Sequence, residues 1–356
     1  MNNEYVNVTE SPFNAVGDGL TCDRKAIQDA IDFVHSRGGG TVRLPGGRIY
    51  LTGDIELKSN VTLEISHGAV LKQSKKHEDY AHAPLAGCEF EGTGNMWDGK
   101  YHYNYPHIFA ASGTSNIKIT GGGTIEQDNT SKALEDNIYM SAIGFFDVSG
   151  FEISDVHIKY THGYNIALRR CRRGLVKGIT VSDPEFGASD GWSTDGVSMQ
   201  NCQDIRVTGC CIVTSDDLIY IWTSYKDPRG RNWWNSDCPQ PTRNIEVDHN
   251  ICRMIMRKKE EWGNGFGIIP WGGICPEPEK IEISDIYVHD NIFIAPHPIG
   301  SIGPDVYYKT NKMPRARNLK FSNNILIPQE DNKNVWFETL QMENVTFDFT
   351  GKDKII

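Results

Sequence analysis

The chain has no apolar run of about 18 residues, the length a membrane-spanning helix needs. Its opening, Met1-Asn2-Asn3-Glu4-Tyr5, lacks both the basic and the apolar stretch that direct a chain to export. No membrane partner is expected, and the expected location is the cytoplasm, or outside the cell if a signal segment has been removed. Positive charge is also in short supply. With 36 Lys and Arg against 46 Asp and Glu, the formal net charge is −10. That balance disfavours a nucleic-acid partner, which would recruit a basic face. There is no Cys-x-x-Cys pair, no His-Glu-x-x-His and no Cys/His spacing of a metal site, so neither a metal nor another cofactor is expected. The nine cysteines form an odd set without a disulfide framework and read as mostly reduced core residues. Gly38-Gly39-Gly40 and Gly121-Gly122-Gly123 lack the lysine and the strand-to-helix setting of a phosphate loop, and read as turn glycines.

What is present is enough apolar sequence to fold, at 38% hydrophobic and 23% charged residues. At 356 residues the chain exceeds one compact core, which leaves two domains or one elongated repeat. A recurring phrase decides for the repeat. A polar residue, often Asn, precedes alternating apolar and polar residues, as in Asn116-Ile117-Lys118-Ile119, Asp204-Ile205-Arg206-Val207, Asn244-Ile245-Glu246-Val247 and Asn318-Leu319-Lys320-Phe321. Alternation of this kind marks a short strand with one buried face. Taking Ile117, Ile153, Leu175, Ile205, Ile245, Ile281, Leu319 and Val345 as equivalent positions gives intervals of 36, 22, 30, 40, 36, 38 and 26. A minimum near 22 with variable excess fits a solenoid whose coils carry loops on one side. A sandwich or propeller is the alternative, and the irregular period argues against it. Near the start, Asp23 is placed to cap a helix whose Ile27, Ala30, Ile31 and Val34 share a face and which ends at Gly38. Such a helix would cover the open end of a solenoid. Residues 1–356 are expected to form a single domain.

Chemistry concentrates between residues 193 and 221. Ser193-Thr194-Asp195-Gly196 is followed, 21 residues after Asp195, by Asp216-Asp217. That is close to one coil, and neighbouring rungs lie about 4.8 Å apart, so the three carboxylates can converge on one face. Clustered carboxylates repel when ionised, which raises at least one pKa and keeps a proton available near neutral pH. Glycosidic cleavage needs that combination: one carboxylic acid protonates the leaving oxygen while another carboxylate activates water or attacks the sugar. The plain alternative is that these aspartates serve turns.

The sequence here resembles glycoside hydrolase family 28, the polygalacturonase family, whose members share Asn-Thr-Asp-Gly, Gly-Asp-Asp, Gly-His-Gly and Arg-Ile-Lys. Ser193-Thr194-Asp195-Gly196 and Ser215-Asp216-Asp217 match the first two. Phe13-Asn14-Ala15-Val16-Gly17-Asp18-Gly19 and Leu51-Thr52-Gly53-Asp54-Ile55-Glu56-Leu57 resemble the family's opening. The resemblance implies an all-β fold, a single-stranded right-handed parallel β-helix with a short N-terminal capping helix. It also implies an inverting glycosidase acting on an oligo- or polysaccharide of plant type or another kind, with Asp216 as acid and Asp195 with Asp217 holding and deprotonating water. Two departures stand out. Asn264 occupies the histidine of Gly-His-Gly and is expected to hydrogen-bond a sugar hydroxyl, since it cannot titrate. No Arg-Ile-Lys follows; Lys309 is the candidate stand-in for its cations. Galacturonate specificity is therefore weakened, and a neutral or differently substituted glycan is the alternative substrate.

Trp192, Trp233, Trp234 and Trp271 flank the carboxylates in sequence and are candidates for stacking on sugar rings, with loop packing as the other reading. The run Arg169-Arg170-Cys171-Arg172-Arg173 reads as a solvated coil edge rather than an anion site. His249 lies within a strand phrase and reads as structural. Three rivals to hydrolysis remain: a polysaccharide lyase, a transglycosylase on the same fold, and a glycan-binding β-helix without catalysis.

Overall fold

Alternating inward apolar and outward polar residues build short parallel strands, and these strands stack coil on coil. The protein, described here from a computed structural model, is defined over residues 5–81, 105–127, 140–161, 163–182, 194–223, 240–255, 264–270, 282–301, 315–329, 335–337 and 341–348. Its strands form three sheets of 11, 10 and 9 strands, in which each strand pairs in parallel with the equivalent strand of the next coil. The fold is a right-handed parallel β-helix, the hand expected of parallel crossovers.

One coil shows the plan. The strand Gln203–Thr208 lies in the first sheet, Cys211–Thr214 in the second and Ile219–Thr223 in the third. Left-handed residues make the corners. Asp155, His249, Asp290 and Asn323, with φ of 54° to 56°, turn the first sheet into the second; Asp147, Arg170 and Asn201, with φ of 50° to 55°, turn the third into the first. Asn and Asp tolerate this conformation because their short side chains bond locally. After the first corner, Asn250, Asn291 and Asn324 stack inside: Asn250 donates to Asn291 Oδ1 at 2.9 Å and Asn291 to Asn324 Oδ1 at 2.9 Å. The stack satisfies corner backbone that no strand reaches.

The recurring phrase falls in the first sheet, and its polar residue is the left-handed one: Asn116, Asp204, Asn244, Asn318 and Asn344 all have φ near 55°. Two of the positions expected to be equivalent are out of register. Ile117 pairs with Phe151, Phe151 with Gly174, Gly174 with Ile205 and Ile245 with Ile286. Ile153 is therefore displaced by two residues, Leu175 faces outward, and Ile281 lies outside the described residues. Gly174 disguises the column because the Phe151 ring fills its place; a Cβ there would meet Phe151 Cζ at 2.0 Å.

The core runs the length of the helix in such columns. Ile55, Ile108, Ile143, Ile166, Val197, Ile219, Phe266 and Ile299 form the inward line of the third sheet, all fully buried. Each contributes about 1.5–3 kcal/mol of burial. Helix α1 (Arg24–Ser36) covers the first coil through Ile27, Ala30, Ile31 and Val34. Gln28 adds a polar seal, accepting from Glu56 N–H at 2.9 Å and donating to Glu56 O at 3.0 Å on the edge strand of the third sheet. Asp23 holds the N-cap position but does not cap; its carboxylate accepts instead from Val16 N–H at 2.6 Å and Gly17 N–H at 2.9 Å. Among the described residues, Cys171, Cys202, Cys210 and Cys252 are buried free thiols, while Cys22 is half-buried and Cys211 exposed.

Candidate active site

The site forms where four residues, Ser215 to Leu218, carry the chain from the second sheet into the third. Val197 pairs with Ile219, which sets Asp195 opposite Asp217 rather than Asp216. Gly196 N–H donates to Asp217 O at 2.9 Å and Leu218 N–H to Asn264 O at 2.9 Å, so the register holds through the turn. Gly196 is required there, since a Cβ would lie 2.2 Å from Leu218 O. From the preceding coil, Asn165 fixes the backbone before the strand: its N–H donates to Asp195 O at 2.8 Å and its side chain to the same oxygen at 3.1 Å. Thr194 Oγ1 and Ser215 Oγ lie 2.7 Å apart and tie the two turns together.

Asp195, Asp216 and Asp217 each place a carboxylate oxygen within 4.8 Å of the others. Asp195 is 4% exposed and Asp217 9%, while Asp216 is half-buried. Burial, then the charges of Asp216 and Asp217, push the Asp195 carboxyl well above its ordinary range; the Tyr220 hydroxyl and Arg169 oppose the shift. Burial and the charge of Asp216 push Asp217 up to about 7, against hydrogen bonds from Asn264. The cluster therefore retains a proton near neutral pH.

Asn264 is turned toward the carboxylates. It is 1% exposed, and both its backbone N–H at 2.7 Å and its Nδ2 at 3.0 Å donate to Asp217 Oδ1. Its Oδ1 lies over Gly300, where a Cβ would be 2.1 Å away. The position read as a sugar contact thus holds Asp217 by two donors. His297, which the sequence reading passed over, pairs with Asn264 one coil further on.

The outer face of the third sheet supplies other neighbours that motif reading missed. Tyr220 lies against Asp195 and Tyr164, and burial pushes the Tyr164 hydroxyl up to about 12. Trp222 stacks on Tyr220 with centroids 6.3 Å apart. Ser198 Oγ accepts from Trp222 Nε1 at 3.1 Å and from Arg169 Nη1 at 2.9 Å. Arg169, read with its neighbours as solvated, is only 3% exposed, unlike the exposed Arg172 and Arg173. The signal for all of these was register, not residue type. Trp192, Trp233, Trp234, Trp271 and Lys309 lie outside the described residues. His249 sits at a corner between the first two sheets, its Nδ1 2.7 Å from Asp248 Oδ2, away from the carboxylates. Glu246, Asp248 and His289 make a second cluster within 4.8 Å, but Arg206 engages both Asp248 oxygens at 2.8 and 2.9 Å, which makes it an ion-pair network.

Residues 58–254, more than half of the chain, match the profile of Glycosyl hydrolases family 28. The chain belongs to this family. Among curated relatives, a probable polygalacturonase of Vitis vinifera is 27% identical over 228 residues, covering 60% of this chain and 44% of the relative. A capsule KN3-specific depolymerase of Klebsiella phage KN3-1 is 31% identical over 183 residues, covering 49% of this chain and 22% of the relative. The chain thus spans less than half the length of these relatives. Among solved structures, an exopolygalacturonase of Thermotoga maritima superposes with a TM-score of 0.65 at 19% identity, covering 99% of this chain and 78% of the other.

Proposed function

We propose that this family 28 protein is a glycosidase that hydrolyses a polysaccharide by inversion. One observation carries the reading: three aspartates from adjacent rungs bring their oxygens within 4.8 Å, two of them buried and pushed up in pKa. Asp216, the most accessible of the three, is the general acid that protonates the leaving glycosidic oxygen. Asp195 and Asp217 face each other across one rung and hold a water; as its oxygen bonds to the anomeric carbon from the opposite face, they take its proton. Asn264 keeps Asp217 Oδ1 as an acceptor throughout. The base must be ionised while the acid keeps a proton, so turnover is expected to follow a bell-shaped pH profile whose acidic limb falls near 7, where Asp217 loses its proton.

Inverting pairs usually stand about 6.5–9.5 Å apart and retaining pairs about 5–5.5 Å, so the close approach of the nearest oxygens makes product stereochemistry the deciding test. Proton NMR of the first product formed is expected to show the inverted anomer. Retention would reassign one aspartate as nucleophile. Substrate choice is the second open point, because the relatives include both a polygalacturonase and a capsule depolymerase. Release of reducing ends from polygalacturonate, rhamnogalacturonan, capsular polysaccharide and neutral oligosaccharides identifies the glycan. An ultraviolet-absorbing unsaturated product would instead make the protein a lyase.

A further inference from the structure

Arg169 has no place in the reaction as written, yet its setting is unusual. Its guanidinium lies between Tyr164, 4.9 Å from the ring centroid, and Trp222, at 5.0 Å. Nη1 donates to Ser198 Oγ at 2.9 Å and to the backbone oxygens of Leu168 and Ser198, but Nε and Nη2 are buried without a hydrogen-bond partner. Among the described residues no carboxylate lies within ion-pair distance of it. A buried cation left without a counter-ion is costly, and so are buried N–H groups left unpaired. Such a group persists where its charge answers charge elsewhere in the same low-dielectric region.

The groups facing it can be named element by element. Its own coil offers Tyr164. The next coil offers Ser198 and Gln200 from Val197–Gln200, with Asp195 just before that strand. The coil after offers Tyr220 and Trp222 from Ile219–Thr223, with Asp216 and Asp217 before it. The preceding coil offers Phe146, and Asp147 beyond it lies 3.7 Å from Arg172. Of the acidic groups in this set, Asp195 is the one on which the charge of Arg169 acts. Ser198, which accepts from Arg169, lies beside the Tyr220 hydroxyl, and that hydroxyl lies against Asp195.

We propose that Arg169 is the fixed counter-ion of Asp195 within the aspartate cluster, a positioning residue that acts on it across Ser198 and Tyr220 and keeps it available as an ionised base. This rests on the hydrolase reading and explains how a crowded, buried carboxylate pair stays available as a base. The cation answers repulsion among the aspartates without an ion pair that would tie up a carboxylate oxygen.

The test is a carboxyl titration by NMR on protein carrying ¹³C-labelled aspartate, with Arg169→Met and Arg169→Lys beside the wild type. In Arg169→Met the highest aspartate midpoints are expected to move up by about one unit, and the acidic limb of kcat/KM to move with them. Arg169→Lys, which keeps the charge and loses the fork, is expected to titrate like the wild type. Coincident titrations in wild type and Arg169→Met, with matching circular dichroism, would overturn the proposal. If the Met variant does not fold, an upward shift in Arg169→Lys as large as one unit overturns it as well. The titration needs no turnover, so its failure is distinct from failure of the hydrolase reading, which is judged on Asp216.

Discussion

Asp217 must be ionised to draw a proton from water, yet burial and the neighbouring Asp216 push its carboxyl up to about 7. Asn264 answers part of that conflict with two hydrogen bonds to one oxygen, which favour the charged form. A carboxyl raised in the folded state adds stability that is fully present below its unfolded value near 4 and is lost as pH rises through about 7. Asp217→Asn removes this penalty on the ionised form, and the new amide can still accept from Asn264. The variant is expected to melt a few degrees above the wild type at pH 8 and close to it at pH 4. Its turnover should fall about 10²- to 10⁴-fold. Calorimetry at the two pH values checks the first outcome; an unchanged melting difference would mean the Asp217 carboxyl is not raised.

At the scale of coils and corners, the site depends on register, and register depends on residues far from the chemistry. The Asn250–Asn291–Asn324 stack pins three successive corners. Asn291 alone donates to Val247 O, His289 O and Asn324 Oδ1 and accepts from Asn250. Asn291→Ala strands those buried groups and is expected to cost about 2–4 kcal/mol in denaturant unfolding. A loss under 1 kcal/mol would show that the stack is not structural. Sequence reading saw the strand phrases but not how they align. Coils of unequal length allow offsets of one or two residues, and Gly174 and Phe151 exchange bulk across neighbouring rungs, which hides the column. The same uncertainty left open which of Asp216 and Asp217 lies opposite Asp195, and the pairing of Val197 with Ile219 puts Asp217 there.

For the whole molecule, the solenoid was legible because its phrases repeat, and the aspartates because their type and spacing are unusual together. Arg169, Tyr164, Ser198, Tyr220 and Trp222 were not, since each is an ordinary residue until neighbouring coils are stacked. Asn264 was located, but its hydrogen bonds to Asp217 were not legible, because a motif position does not say what its side chain faces. The family assignment covers more than half of the chain, while the matched segments cover 44% and 22% of the two curated relatives. The activity of this chain by itself is therefore the point to measure. The direct measurement is reducing-end release by wild type and Asp216→Asn on the same glycan panel, with circular dichroism confirming the fold. Release by the wild type and a loss of about 10²-fold or more in the variant is the predicted result; equal release by both, from folded protein, would contradict the account.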